Sequence, residues 1–122
     1  MRARFEMAKL KNDDEALGGI YEEMFELSCD LLVNQNVIVS WDKSGPDTVD
    51  KRQGRNYWLA DSQGVVPFAV VSQKRGKKDF SKKYSGVMVV QAKTKYGNLK
   101  TAAGMAKSIR KLTRKYRGGF FS

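Results

Sequence analysis

The chain contains no histidine, one cysteine and two prolines in 122 residues. The missing histidine removes Ser-His and Cys-His activation of a nucleophile, imidazole proton transfer near neutral pH, and histidine-containing zinc sites. A lone Cys29 excludes an internal disulfide and any Cys-x-x-Cys metal or redox pair. Long apolar stretches are also missing. The densest run, residues 65–71, is far too short to cross a bilayer, and no apolar segment of signal-peptide length follows Arg2 and Arg4. The expectation is a reducing, cytoplasmic setting and no membrane partner. Chemistry on such a chain has to rest on carboxylates, lysines or an oxygen-bound hard cation.

Negative charge is scarce too. Lys and Arg number 23 against 13 Asp and Glu, a net charge of +10. The imbalance is uneven along the chain. Residues 1–30 carry four Lys/Arg and eight Asp/Glu, whereas the remainder carries nineteen and five. An acidic N-terminal element thus precedes a strongly basic body, and such an excess speaks to partners rather than to fold. At 41% apolar content the chain can bury a core, and its length suits one domain over residues 1–122.

Periodicity places the elements. Residues 1–12 read as an N-terminal arm. Leu17, Ile20, Tyr21, Met24, Phe25, Leu31 and Leu32 recur at three-to-four spacing and predict an amphipathic helix from about Asp13 to Val33. Asp13 or Asp14 is its cap. Glu15, Glu22, Glu23, Glu26 and Asp30 fall on the opposite, solvated face. Strands are expected at residues 37–41, 57–60, 65–71 and 86–95, with a hairpin across Asp61-Ser62-Gln63-Gly64. Residues 72–85 read as a charge-dense loop. A last helix runs from about Thr101 to Tyr116, and 117–122 form a tail with Arg117-Gly118-Gly119 followed by two phenylalanines. The expected architecture is α+β: a mainly antiparallel sheet of three or four strands, covered on one face by an acidic and a basic amphipathic helix.

Two segments carry the functional signal. On the last helix, Ala102, Met105, Ile109, Leu112 and Tyr116 form an apolar seam. Lys107, Arg110, Lys111, Arg114 and Lys115 then lie opposite, without a carboxylate among them. Like charges at i,i+3 and i,i+4 repel, so a merely solvated face would interleave the signs. A phosphate backbone supplies the missing negative charge. In the second segment Lys74, Arg75, Lys77, Lys78, Lys82 and Lys83 surround Phe80 and Tyr84. That mixture suits phosphate contact with ring stacking on unpaired bases, or else rings tucked into the core. Nucleic acid, DNA or RNA, is the expected partner, and no cofactor is required. An acidic protein, such as a nucleic-acid enzyme to be inhibited, would answer the same charge.

One alternative is catalytic. Gln91-Ala92-Lys93 at the end of an apolar strand resembles the acid-x-lysine pair of PD-(D/E)xK nucleases. Alternation sets Gln91 and Lys93 on one face. The resemblance implies a magnesium-dependent nuclease, with Asp47, Asp50 or Asp61 supplying a metal carboxylate and Glu22, Glu23 or Glu26 the helical one. The sequence departs from that pattern where Gln91 replaces the acid, which removes a negative charge a magnesium site needs.

Overall fold

Asp13 stops one helix and starts another. Its carboxylate accepts the Ala16 N–H at 3.0 Å, and α2 (Asp14–Asn34) runs on from this cap. In the computed structural model, which describes residues 1–119 with the side chain of Lys74 left aside, α1 occupies Arg2–Leu10. The expected N-terminal arm is therefore a helix. Phe5 and Ala8, three residues apart, are buried on α2, with the Phe5 and Tyr21 ring centroids 6.3 Å apart. Two anchors in a polar segment are too few to read as periodicity.

The strands are β1 (Ser40–Lys43), β2 (Tyr57–Asp61), β3 (Gly64–Val71) and β4 (Met88–Gln91), in sheet order β1-β2-β3-β4. The first three form an antiparallel meander, with Trp41 opposite Leu59 and Leu59 opposite Val66. β4 lies parallel to β3, with Phe68 opposite Met88 and Val71 opposite Gln91. A parallel partner needs a crossover, and residues 72–85 provide one. They hold α4 (Lys74–Lys83) where a loop was expected. A short helix, α3 (Val49–Arg52), capped by Thr48, sits between β1 and β2. α5 (Ala102–Arg114) opens on Thr101, whose hydroxyl accepts the Gly104 N–H at 3.0 Å.

Alternation along the strands splits the sheet into two faces. Tyr57, Leu59, Val66, Phe68, Met88 and Val90 join Phe25, Leu32, Met105 and Ile109 in one continuous core under α2 and α5. Phe25 packs its ring 4.6 Å from Tyr57 and 5.9 Å from Phe68. On the other face lie Ala69 and Val89, also buried. Here α4 covers the sheet, close enough that a Cβ on Gly76 would meet the Val71 side chain at 3.5 Å. The helical cover is thus two-sided near β4, not confined to one face.

After α5 the chain makes a π-helical turn, Lys115–Gly119. Arg117 from this turn grips the β2–β3 hairpin: its guanidinium takes both Asp61 carboxylate oxygens, at 2.5 and 3.1 Å, and reaches the Gly64 carbonyl at 3.2 Å. A bidentate pair of this kind is the strong form of the ion pair. Phe120 and Phe121 lie outside the described residues.

Candidate functional site

The phase read from the seam of α5 holds. Met105 and Ile109 are fully buried, Ala102, Leu112 and Tyr116 partly so, while Lys107, Arg110, Lys111, Arg114 and Lys115 are exposed. At 100° per residue these five fan over roughly 140° of the cylinder. Two of the grooves they border are lined by no carboxylate. Lys107, Arg110 and Arg114 border a groove toward Leu31 of α2 and Gln35, which follows it. Lys111 and Lys115, again with Arg114, border a cleft on the β4 side.

That second cleft, of about 670 Å³, lies where α4 and α5 flank the β4 edge. Its walls include Val89, Val90 and Leu112, with Gln91 and Ser108 as neutral polar groups. Five cations line it, Lys77, Lys100, Lys111, Arg114 and Lys115, and no carboxylate does. Burial, and after it Lys115 and Lys111, holds the Lys77 ammonium below the ordinary lysine value. Lys100 is lowered by burial and then by Lys77. Lys77 thus feels the charge of Lys111 and Lys115 on α5, and Lys100, before α5, feels that of Lys77. Among the described residues none of the cleft's cations has an ion-pair partner. Unpaired charge of one sign in a concave site focuses the field on an incoming anion.

α4 adds Arg75, Lys78, Lys82 and Lys83, all of them exposed. The side chain of Lys74 lies outside the described residues. The aromatics of this segment are committed elsewhere. Phe80 and Tyr84, 4.8 Å apart, close over Gly54, where a Cβ would fall 2.6 Å from the Tyr84 ring and 2.9 Å from Phe80. With φ at +80°, Gly54 also holds a turn that other residues rarely adopt. Both rings are half-buried over Gly54 and stand outside the core cluster.

The candidate nuclease residues are scattered. Asp61 closes β2 opposite Gly64, while Gln91 ends β4 opposite Val71. Seven residues of β3 separate those positions, roughly 23 Å at strand rise. Asp61 is in addition engaged by Arg117. Asp47 follows β1, the opposite edge strand from Gln91, and its carbonyl accepts from Arg52 at 2.8 Å. Glu22 and Glu26 pair with Lys43, and Glu23 with Arg4. Lys93 lies beyond β4, bridged to Leu99. Among the described residues no three acidic or cysteine groups converge on a cation site. Cys29 is fully buried, and burial followed by Asp30 and Glu26 pushes its thiol well above the usual range. It is no nucleophile at neutral pH.

One cleft cation, Lys100, was not singled out in the sequence. Lys100 stands alone before the helix, with no run to flag it. Gln91, the candidate of the nuclease reading, lines the same cleft as a neutral group beside lysines. Compared with known proteins, the chain matches no protein-family model, no curated protein and no solved structure. No helix among the described residues is long and apolar enough to cross a membrane.

Proposed function

We propose that this protein binds nucleic acid, seating the phosphate backbone along the cleft at the β4 edge and across the exposed faces of α5 and α4. The observation that carries the reading is the cleft itself: Lys77, Lys100, Lys111 and Lys115 repel one another around a concavity without a carboxylate. Holding them there costs the fold stability, and a row of phosphates removes that cost while releasing condensed counterions. Lys107, Arg110 and Arg114 extend the positive surface toward α2, and Arg75, Lys78, Lys82 and Lys83 extend it along α4. Base-edge recognition has no visible apparatus in this arrangement, so backbone contact supplies the affinity.

The test is an anisotropy titration of single- and double-stranded DNA and RNA at several salt concentrations. The logarithm of affinity should fall linearly with the logarithm of salt, at roughly −0.9 per phosphate neutralised on duplex DNA. No binding to any of the four polymers at low salt rejects the reading and transfers the cleft to an acidic protein. Adding magnesium or manganese to the same mixtures should leave the polymers intact. Cleavage abolished by Asp61→Ala or Lys93→Ala would instead make the chain a nuclease.

A further inference from the structure

The connection from β4 to α5 is a built object. The Lys100 N–H donates to the Ala92 carbonyl at 2.8 Å, and Lys93 and Leu99 form an antiparallel bridge. Within it the Thr94 N–H donates to the Asn98 carbonyl at 2.7 Å, and the Gly97 N–H to the Thr94 carbonyl at 2.9 Å. The Thr94 hydroxyl accepts from the Tyr96 and Asn98 N–H groups, each at 3.3 Å. Gly97 takes φ +81°, which the tight reversal requires. The outcome is a small hairpin with Tyr96 at its tip.

Tyr96 is 78% exposed, the one aromatic among the large apolar side chains left open in the described residues. The Lys95 ammonium sits 5.0 Å from its ring centroid. The base of the hairpin adjoins the basic cleft, since Gln91 and Lys100 line the cleft and flank the hairpin on either side. A strand with phosphates in the cleft that continues past Gln91 and Lys100 would meet this hairpin, where Lys95 lies over the Tyr96 ring and offers a further phosphate contact. Every base has a π-face, and stacking on an aromatic ring needs that face free. A duplex keeps its bases stacked inside and offers no such face along its length.

We propose that Tyr96 is a stacking platform for an unpaired base, so that the preferred ligand is single-stranded nucleic acid; this rests on the cleft as a phosphate site. The experiment compares the wild type, Tyr96→Ala, Tyr96→Trp and Lys111→Gln. Each is titrated with a short single strand, its duplex, and an abasic strand of equal length. Because the ring is exposed, the fold should survive its removal, and circular dichroism checks that. Tyr96→Ala should weaken single-strand binding about 5- to 100-fold, the range that loss of one base–aromatic stack produces. Duplex and abasic affinities should not change, nor should the salt slope, because no charge is removed. Tyr96→Trp should retain the preference, and Lys111→Gln should weaken all three ligands alike. Undiminished single-strand binding by folded Tyr96→Ala overturns the stacking role alone and leaves the cleft reading in place. A wild type that binds none of the three ligands overturns both.

Discussion

At the β1 edge of the sheet, Lys43 lies 3.6 Å from Glu22 and 3.4 Å from Glu26, the Tyr57 hydroxyl donates to Glu26 at 2.7 Å, and the Trp41 indole donates to Asp30 at 2.9 Å. At the β4 edge, Lys77, Lys100, Lys111 and Lys115 meet with no carboxylate in the cleft wall. The two edges of one sheet thus treat charge in opposite ways. Glu22, Glu26 and Asp30, four residues apart along α2, form a stripe that ties the helix to β1. Glu23 ties it to Arg4 of α1. Glu22, Glu23, Glu26 and Asp30 are thus engaged by their own neighbours, and among the described residues no carboxylate lines the β4 cleft. Polar groups matched within the fold contribute to stability, whereas unmatched like charges on the same scaffold do not.

The sharpest way to break this comparison is to neutralise the β4 edge. Replacing Lys77, Lys100, Lys111 and Lys115 with Gln should lower nucleic-acid affinity roughly 100-fold or more at low salt. The salt slope should flatten by roughly 0.9 for each phosphate that is no longer neutralised. Thermal stability should hold or rise, since mutual repulsion is relieved. Lys51→Gln and Arg52→Gln on α3 remove charge away from the cleft and should leave affinity nearly unchanged. Equal reductions from both sets, read by anisotropy, would mean that only total charge matters and that the two edges do not differ in function.

The β1 edge predicts the reverse pattern. Tyr57 is fully buried, and burial together with its hydrogen bond to Glu26 keeps its phenol protonated well above the usual value. Tyr57→Phe removes a hydrogen bond to a charged group, which should cost about 1.5–3 kcal/mol in a urea unfolding experiment. Nucleic-acid binding by the folded variant should be unchanged. A drop in affinity would join the two edges.

The smallest expected effect concerns a single lysine and pH. In the fold Lys77 is charged against its surroundings, so its folded value lies below that of the unfolded chain. Lys77→Gln should accordingly be more stable than the wild type near neutral pH. The gap should narrow as pH rises through the lowered folded value toward 10.5, because native Lys77 then loses its proton before the unfolded chain does. Thermal melts of both proteins across that range check the sign. A gap independent of pH would show that the charge on Lys77 is not what the fold resists.

Much of this was legible in the residues, for reasons that can be named. α2 and α5 announce themselves by apolar spacing near 3.6, and Asp13 and Thr101 cap them as their side chains suggest. The α+β architecture and the outward row on α5 follow from that phase. α4 was hidden because Lys74–Lys83 has one apolar residue and an internal glycine. The available hint was Phe80 and Tyr84 at i,i+4, the spacing of neighbours on a helix. β1 was expected at residues 37–41 but occupies Ser40–Lys43, since Val37 and Ile38 pack under the sheet as a connection while pairing extends through Asp42 and Lys43. The acidic face of α2 reads as solvated because its partners Trp41, Lys43 and Tyr57 become neighbours only once β1 and β2 are paired. Lys100 and Tyr96 belong to a hairpin defined by Thr94 hydrogen bonds, which no periodicity reveals.

The contact between α2 and α5 has a consequence for synthesis. These helices, residues 14–34 and 102–114, pack on one another although nearly seventy residues separate them. Phe25, Cys29 and Leu32 of α2 share one core with Met105 and Ile109 of α5. While the chain grows from the ribosome, α2 emerges with its apolar stripe uncovered, and its α5 cover is made nearly seventy residues later. Such long-range closure slows folding, and exposed stripes on incomplete chains invite aggregation. Nascent chains halted before α5 should be captured by chaperones that hold apolar segments, and released only when α5 is present.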